Sequence, residues 1–248
     1  ARVPAFAEVG VKEVYNGAIA YAPDGSPMVG PAWGLQNFWL NEGHSFGITA
    51  AGGSGWQLAE WIVEGEPSLD MMGVDPRRFG PYASRGYLKA KNEEAYANVF
   101  SVHYPDEERA AARPLKRSPC YERMESIGAV FGSVYGWERP NWFAPPGYAL
   151  SEAEMNKPDV LLSETGAAPD SEGRRRERWI FRRSNYFEHV GNECRHVHEK
   201  AGLLDMSAFA KFEVSGSGAA VWLDGLFANH IPKSVGRMSL CHMLTPMG

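Results

Sequence analysis

The sequence of 248 residues is poor in cysteine, has no long apolar run and carries no excess of positive charge. Three widely spaced cysteines, Cys120, Cys194 and Cys241, exclude a disulfide framework and favour free thiols in a reducing compartment. No apolar run approaches the ~20 residues of a membrane span, and no secretory signal pattern is visible. A net charge of −5 argues against nucleic-acid binding through bulk electrostatics.

Hydrophobic periodicity and turn residues predict a mixture of helices and strands. Turn residues at Pro23–Pro27 predict a hairpin that pairs 11–21 with 28–30. We expect helices over 56–64, 84–102, 121–127, 187–201 and 219–228. We expect further strands over 37–40, 129–135, 212–214 and 237–244. Irregular chain is predicted over 109–119, as a linker, and over 136–147 and 151–177.

A strand followed by a glycine-rich loop and a helix is the feature closest to a ligand site. The glycines extend from Gly43 through Gly47 to Gly55. Glycines let backbone N–H groups approach a ligand, and a helix N-terminus adds partial positive charge that favours anionic oxygens. The spacing is not that of a dinucleotide fingerprint, because Leu58 stands where the last glycine would be. The spacing alone leaves open both a ligand-binding loop and a plain tight turn.

Two other groups of residues could carry chemistry. Cys194 and His198 share one helix face while His196 points elsewhere, so a metal site has poor geometry and we predict no metal. A dense basic run could bind phosphate or another polyanion, although a solvated hairpin is favoured because Glu172 and Glu177 lie nearby. No residue can be assigned as catalytic. The basic run comprises Arg174, Arg175, Arg176, Arg178, Arg182 and Arg183.

The order of several motifs carries a resemblance to a known family. These motifs are Tyr15–Gly17, Tyr21–Gly25, Asn37–Trp39, Gly43–Ile48, Trp61–Pro67, Asp75–Phe79, Gly136–Phe143, Ser184–Glu193, Leu203–Phe212 and His242–Pro246. Together they resemble the FAD-dependent dimethylglycine and sarcosine dehydrogenase family, and the resemblance covers nearly the whole chain.

The resemblance implies an α+β chain with three parts. Residues 1–75 would be the C-terminal part of a D-amino-acid-oxidase-like flavin domain. Residues 76–183 would be a small α+β central domain, and residues 184–248 would begin an aminomethyltransferase-like, folate-binding domain. Both ends of the chain look cut, so we expect an internal fragment that is inactive by itself.

The resemblance also implies a reaction. FAD would accept a hydride from a small N-methyl amine such as dimethylglycine or sarcosine, and tetrahydrofolate would take up the one-carbon unit. The electron acceptor is unassigned, and we expect neither nucleic acid nor membrane as a partner. We expect a cytoplasmic location, with the mitochondrial matrix as the alternative. The residues that match the family's flavin loop are Gly43, His44, Ser45, Phe46, Gly47 and Ile48.

At two positions the sequence departs from the family pattern, so the family's functional residues there cannot be assigned to this chain. Related oxidases have a lysine just after the flavin loop that holds the substrate carboxylate, and Thr49 stands there. They also attach flavin to a cysteine near the position of Gly17. Two alternative functions therefore stay open: a folate-dependent aminomethyl or methyl transferase without a working flavin, and a non-catalytic chain of a split enzyme.

Overall fold

The computed structural model describes residues 3–155, 170 and 173–244. These residues form a mixed helix and strand fold, as expected, and contacts divide the chain into two compact units, Ala1–Leu203 and Leu204–Gly248. The domain boundaries expected near residues 75 and 184 stay a prediction. The helices are α1 Gly47–Glu64, α2 Arg85–Ala97, α3 Tyr121–Ser126, α4 Glu152–Met155, α5 Phe187–Glu199 and α6 Ala219–Leu226. The strands are β1 Met28–Pro31, β2 Trp39–Glu42, β3 Ala129–Val134 and β4 Trp137–Phe143, with short 3₁₀ helices at Pro4–Ala7 and Pro76–Arg78.

The first hairpin differs from the prediction. Strand β1 pairs antiparallel with β2, and no strand forms over 11–21. The turn before β1 does form, since Gly25 has φ 77° and its N–H donates to the Ala22 carbonyl at 2.9 Å. Alternation becomes a strand only where another strand accepts its hydrogen bonds, and no strand in the described chain pairs with 11–21.

Helix α1 begins earlier than predicted, because the glycines expected in a loop are helical. It ends as predicted at Gly65, which has the left-handed φ of 87° and donates its N–H to the Trp61 carbonyl. Trp61 is buried, with its ring edge-on to Trp39 at 6.1 Å. Gly30 admits this ring, since a Cβ there would lie 2.7 Å from it.

Helix α2 is confirmed but ends at Ala97, before the predicted Val102. Its first turn is capped by Ser84, whose hydroxyl accepts from the Tyr87 N–H. Just before it, the Arg78 guanidinium binds both oxygens of Asp24, at 2.7 and 2.9 Å, and so fastens the turn before β1 to the 3₁₀ helix.

The second hairpin overturns the prediction of irregular chain over 136–147. Strands β3 and β4 are joined by a tight turn in which Tyr135 and Gly136 both have positive φ, 50° and 80°. This combination matches the twist of adjacent strands. Pro140 lies beside a register shift, where a strand tolerates proline. The aromatic and proline content therefore concealed a strand, while α3 and β3 lie where predicted.

The segment 109–119 is not a free linker. Lys116 donates its backbone N–H to the Gly136 carbonyl and accepts from the Glu138 N–H, both at 2.9 Å, which forms a parallel bridge beside β4. Polar composition suggested a linker, whereas these backbone bonds anchor the segment to the hairpin.

The second unit, Leu204–Gly248, contains helix α6 as predicted. The strands expected over 212–214 and 237–244 do not form within the described residues. One backbone bond, from Ala228 N–H to the His242 carbonyl at 2.9 Å, joins the end of α6 to the later segment. Of the predicted irregular region 151–177, residues 156–169 and 171–172 lie outside the described residues.

Candidate functional site

The predicted flavin loop lies between β2 and α1. Gly43 directly follows β2 with a φ of 73°, a conformation in which any other residue is strained. Phe46 is the N-cap residue of α1 and Gly47 is its first residue. The loop itself is therefore only four residues long, and Gly47 and Ile48 belong to the helix.

The start of α1 has donors for an anionic group. No side chain caps the helix, and the N–H groups of a first helical turn have no intrahelical partner. A Cβ on Gly47 would meet only the His44 Cβ, at 3.5 Å, so the backbone is open on that side. This cradle fits a flavin, because backbone amides there could donate to the negative charge of a reduced ring.

His44 is the titratable side chain of this loop. Its Nε2 lies 2.7 Å from the Asn41 Oδ1. Its Nδ1 is buried, and no group of the described chain hydrogen-bonds to it. A buried ring nitrogen without a partner costs free energy, so the loop leaves one polar atom available to a ligand.

A cavity of about 430 Å³ adjoins the loop, between the turn after Tyr21 and helix α2. Phe46 and Arg109 line it, together with an ion pair in which Lys91 Nζ lies 3.0 Å from Glu94 Oε2. Burial opposes ionisation of Glu94, but the Ala111 N–H and Lys91 outweigh it and lower the pKa of Glu94. The cavity therefore has charged groups beside the predicted flavin loop.

A second polar site is built on the β3–β4 hairpin and lines a cavity of about 640 Å³. Arg113 donates to both carboxylate oxygens of Glu138, at 3.0 and 2.6 Å, and also to the Phe131 carbonyl. Burial would lower the pKa of Arg113, but the hydrogen bond and charge of Glu138 outweigh it and raise the pKa. Sequence reasoning missed this pair. The signal in the sequence that could have revealed the pair is Glu138, a charged residue in a segment rich in aromatic residues.

Trp142 is the centre of a group of four ring-bearing side chains and one carboxylate. We call this group the hairpin cluster: Trp142, Tyr148, Glu177, Tyr186 and His189. Tyr186 and His189 stack on the fully buried indole, at 5.6 and 5.3 Å, and Tyr148 meets it edge-on. The indole Nε1–H donates to Glu177 Oε1 at 2.7 Å. The cluster joins β4 to α5, and sequence analysis did not identify it.

Burial shifts two titratable groups in this cluster. It raises the pKa of Glu177 despite the hydrogen bond from Trp142, and the nearby Glu108 charge adds to the rise. Burial also raises the pKa of Tyr186 to about 12, and the Tyr186 hydroxyl donates to Asp106 at 3.1 Å. Both groups hold the packing of the cluster, and neither faces the glycine loop in any described contact.

The basic run is not one solvated hairpin. Arg174 and Arg176 each approach Asp170, at 3.0 and 2.9 Å, and Arg176 also donates to the Gly128 carbonyl. Glu177, expected to neutralise the run, faces Trp142 instead. Glu172 lies outside the described residues.

The remaining sequence candidates do not form a metal site. Cys194, His196 and His198 lie on α5, and the part of the chain that the structure describes has no group of three potential ligands placed to hold a metal ion. All three cysteines are free. No helix among the described residues is long and apolar enough to cross a membrane.

Comparison with known proteins agrees with the motifs. Residues 64–118 match the family described as FAD dependent oxidoreductase central domain. Over 247 residues the chain is 40% identical to human mitochondrial dimethylglycine dehydrogenase, covering 99% of this chain and 25% of that protein. It is 32% identical to human mitochondrial sarcosine dehydrogenase, covering 100% of this chain and 27% of that protein. It is 29% identical to the mouse mitochondrial pyruvate dehydrogenase phosphatase regulatory subunit, with 100% and 26% covered.

The chain thus spans about a quarter of the length of the curated relatives it matches. Its predicted resemblance to dimethylglycine and sarcosine dehydrogenases is confirmed. Residues 120–248, half of the chain, match the model described as GCVT N-terminal domain, and the chain belongs to that family.

Proposed function

We propose that this chain is part of an FAD-dependent dehydrogenase that oxidatively demethylates an N-methyl glycine-type amine. The observation that carries the proposal is the glycine loop between β2 and the uncapped α1, in a chain similar over nearly all its length to dimethylglycine dehydrogenase. Residues 1–75 would then be part of a flavin domain, and the chain from 184 would belong to a folate-binding domain that uses tetrahydrofolate.

The residues of the loop have distinct roles in this proposal. The flavin, when bound, supplies the acceptor for the hydride of the amine. Gly43 lets the backbone turn from β2 towards α1, and the open backbone at Gly47 offers its N–H to the cofactor. His44 offers its buried Nδ1 as one polar contact.

We propose a mitochondrial location for the enzyme. Both dehydrogenases are mitochondrial proteins, which supports the mitochondrial matrix rather than the expected cytoplasm. A small N-methyl amine is the proposed substrate, since the names of the same relatives contain dimethylglycine and sarcosine.

The test of the flavin proposal is a matched pair of valine substitutions in the full-length enzyme. Gly47→Val adds a branched Cβ where the described chain leaves the backbone open, so we expect at least a tenfold loss of retained FAD, read from the ratio of flavin to protein absorbance. Gly86→Val, in the first turn of α2, adds the same side chain at a position whose nearest contact is Ser84 Oγ at 3.9 Å.

The control should retain its flavin. Equal flavin content in Gly47→Val and the wild type would reject the loop as the flavin site. Equal loss in both variants would show only that a branched residue at a helix start disturbs the fold, and would equally remove the support from this proposal.

A regulatory chain is the second candidate function. One relative of similar coverage is a phosphatase regulatory subunit, which favours the alternative of a non-catalytic member. Absorbance of bound flavin and turnover of dimethylglycine separate the two: a colourless, inactive full-length protein that binds another polypeptide would support the regulatory function.

A further inference from the structure

The C-terminal end of the basic run lines a separate cavity. Arg182 and Arg183 contribute to this cavity of about 370 Å³, which also has walls from Tyr186 and Phe187 at the start of α5. We call it the arginine cavity. It shares no lining residue with the cavity beside the glycine loop and only Trp179 with the one on the β3–β4 hairpin.

The charges around the arginine cavity do not balance. Its described lining includes the exposed Arg182 and Arg183 and one carboxylate, Asp106. That carboxylate already accepts a hydrogen bond from the Tyr186 hydroxyl at 3.1 Å. Like charges crowded into one concave site repel each other, and the repulsion is relieved by an anion.

The geometry of Arg183 leaves it suited to an oxyanion. Its guanidinium carbon lies 4.1 Å from the centre of the Phe187 ring, a distance at which the cation and the aromatic face attract each other. Contacts with an aromatic face leave guanidinium N–H groups available at the edge, where they can bind carboxylate or phosphate oxygens in pairs.

We propose that the arginine cavity binds a small ligand that carries at least two negative charges on carboxylate or phosphate oxygens. Arg182 and Arg183 supply the charge, and Tyr186 and Phe187 form part of the wall of the same cavity. The site is independent of the flavin proposal, because it shares no residue with the glycine loop.

The test is calorimetric titration of the full-length enzyme with sodium pyrophosphate and, separately, with sodium citrate at constant ionic strength. The double variant Arg182→Gln/Arg183→Gln removes two exposed positive charges, and we expect it to bind at least tenfold more weakly. The control Arg117→Gln/Arg123→Gln removes the same charge from the exposed surface near and on α3, outside the cavity, and should bind like the wild type.

Each outcome decides the proposal. Binding of pyrophosphate, citrate or both that is lost in the first variant and kept in the control supports the site, and the preferred probe identifies phosphate or carboxylate. Absence of binding to both probes overturns it. Equal weakening in both variants also overturns it, since the interaction would then follow net charge alone. Thermal unfolding of each variant establishes that the chain remains folded.

Discussion

The surroundings of the β3–β4 hairpin and of the glycine loop differ in how far they bury their large side chains. Around the hairpin, Trp142 is fully buried and its polar atom has a partner, whereas Ile48 at the start of α1 is fully exposed and Trp56 is 68% exposed. The hairpin has both its apolar and its polar contacts within the described chain. The glycine loop leaves backbone donors and apolar side chains available, which is the surface expected where a ligand or further protein packs.

The largest expected effect is loss of the buried ion pair of the hairpin. Arg113→Ala leaves Glu138, whose side chain is 3% exposed, without its bidentate partner. We expect a loss of about 3–5 kcal/mol in the free energy of unfolding, measured in urea, because an unpaired buried charge is expensive. Arg117→Ala breaks an exposed pair with Glu122 and should change little. Similar losses in both variants would contradict the prediction that the buried pair contributes more to stability than the exposed pair.

A steric test of the hairpin uses two glycines with left-handed backbones. A Cβ at Gly128 would lie 2.2 Å from the Ala144 carbonyl oxygen, whereas a Cβ at Gly147 meets no atom within 4 Å. In both alanine variants the left-handed backbone conformation lowers the free energy of unfolding by about 1–2 kcal/mol. Only Gly128→Ala lowers it by about 1–3 kcal/mol more, because of overpacking. The difference between their urea midpoints measures how closely the segments before β3 and after β4 pack.

Glu177 makes the stability of the hairpin depend on pH. Its folded pKa is raised above the ordinary value of 4.5, so its contribution to stability is complete below that value and is lost as pH rises through the folded pKa. Glu177→Gln keeps an oxygen for the Trp142 indole and removes this loss. We therefore expect the stability of the variant relative to the wild type to increase from pH 4 to pH 7 in urea titrations.

The smallest effect should come from the thiols. Cys120 and Cys194 are exposed and Cys241 is half-buried. Replacement of all three by serine should change the free energy of unfolding by no more than about 0.5 kcal/mol per site, as for surface residues without a special role. A larger loss, or loss of turnover in a folded full-length variant, would contradict a purely structural role.

Local chemistry predicted the elements whose signals are local. Gly65 ends α1, Ser84 caps α2, and α3, α5 and α6 lie close to their predicted ranges. The strands depended on partners far away in the sequence. Residues 11–21 alternate without pairing in the described chain, while β4 pairs despite its proline because a tight turn brings it beside β3.

The candidate site shows the same limit. The motif placed Gly43 between a strand and a helix, as the structure has it, whereas Gly47 proved to be the first residue of α1. It gave no indication that Arg113 would pair with Glu138 or that Glu177 would face Trp142. Such contacts arise from tertiary packing between segments far apart in sequence. A charged residue inside an aromatic strand was the one available signal, because a buried charge requires a partner.

The two-residue turn at Tyr135 and Gly136 also bears on the order of folding. Hairpins closed by so short a connection form within about 1–10 μs, before contacts that close long loops. Glu177, the acceptor of the Trp142 indole, lies 35 residues further along the chain. During synthesis the indole therefore lacks this acceptor until residue 177 has been made, and its stacking partners on α5 follow later still.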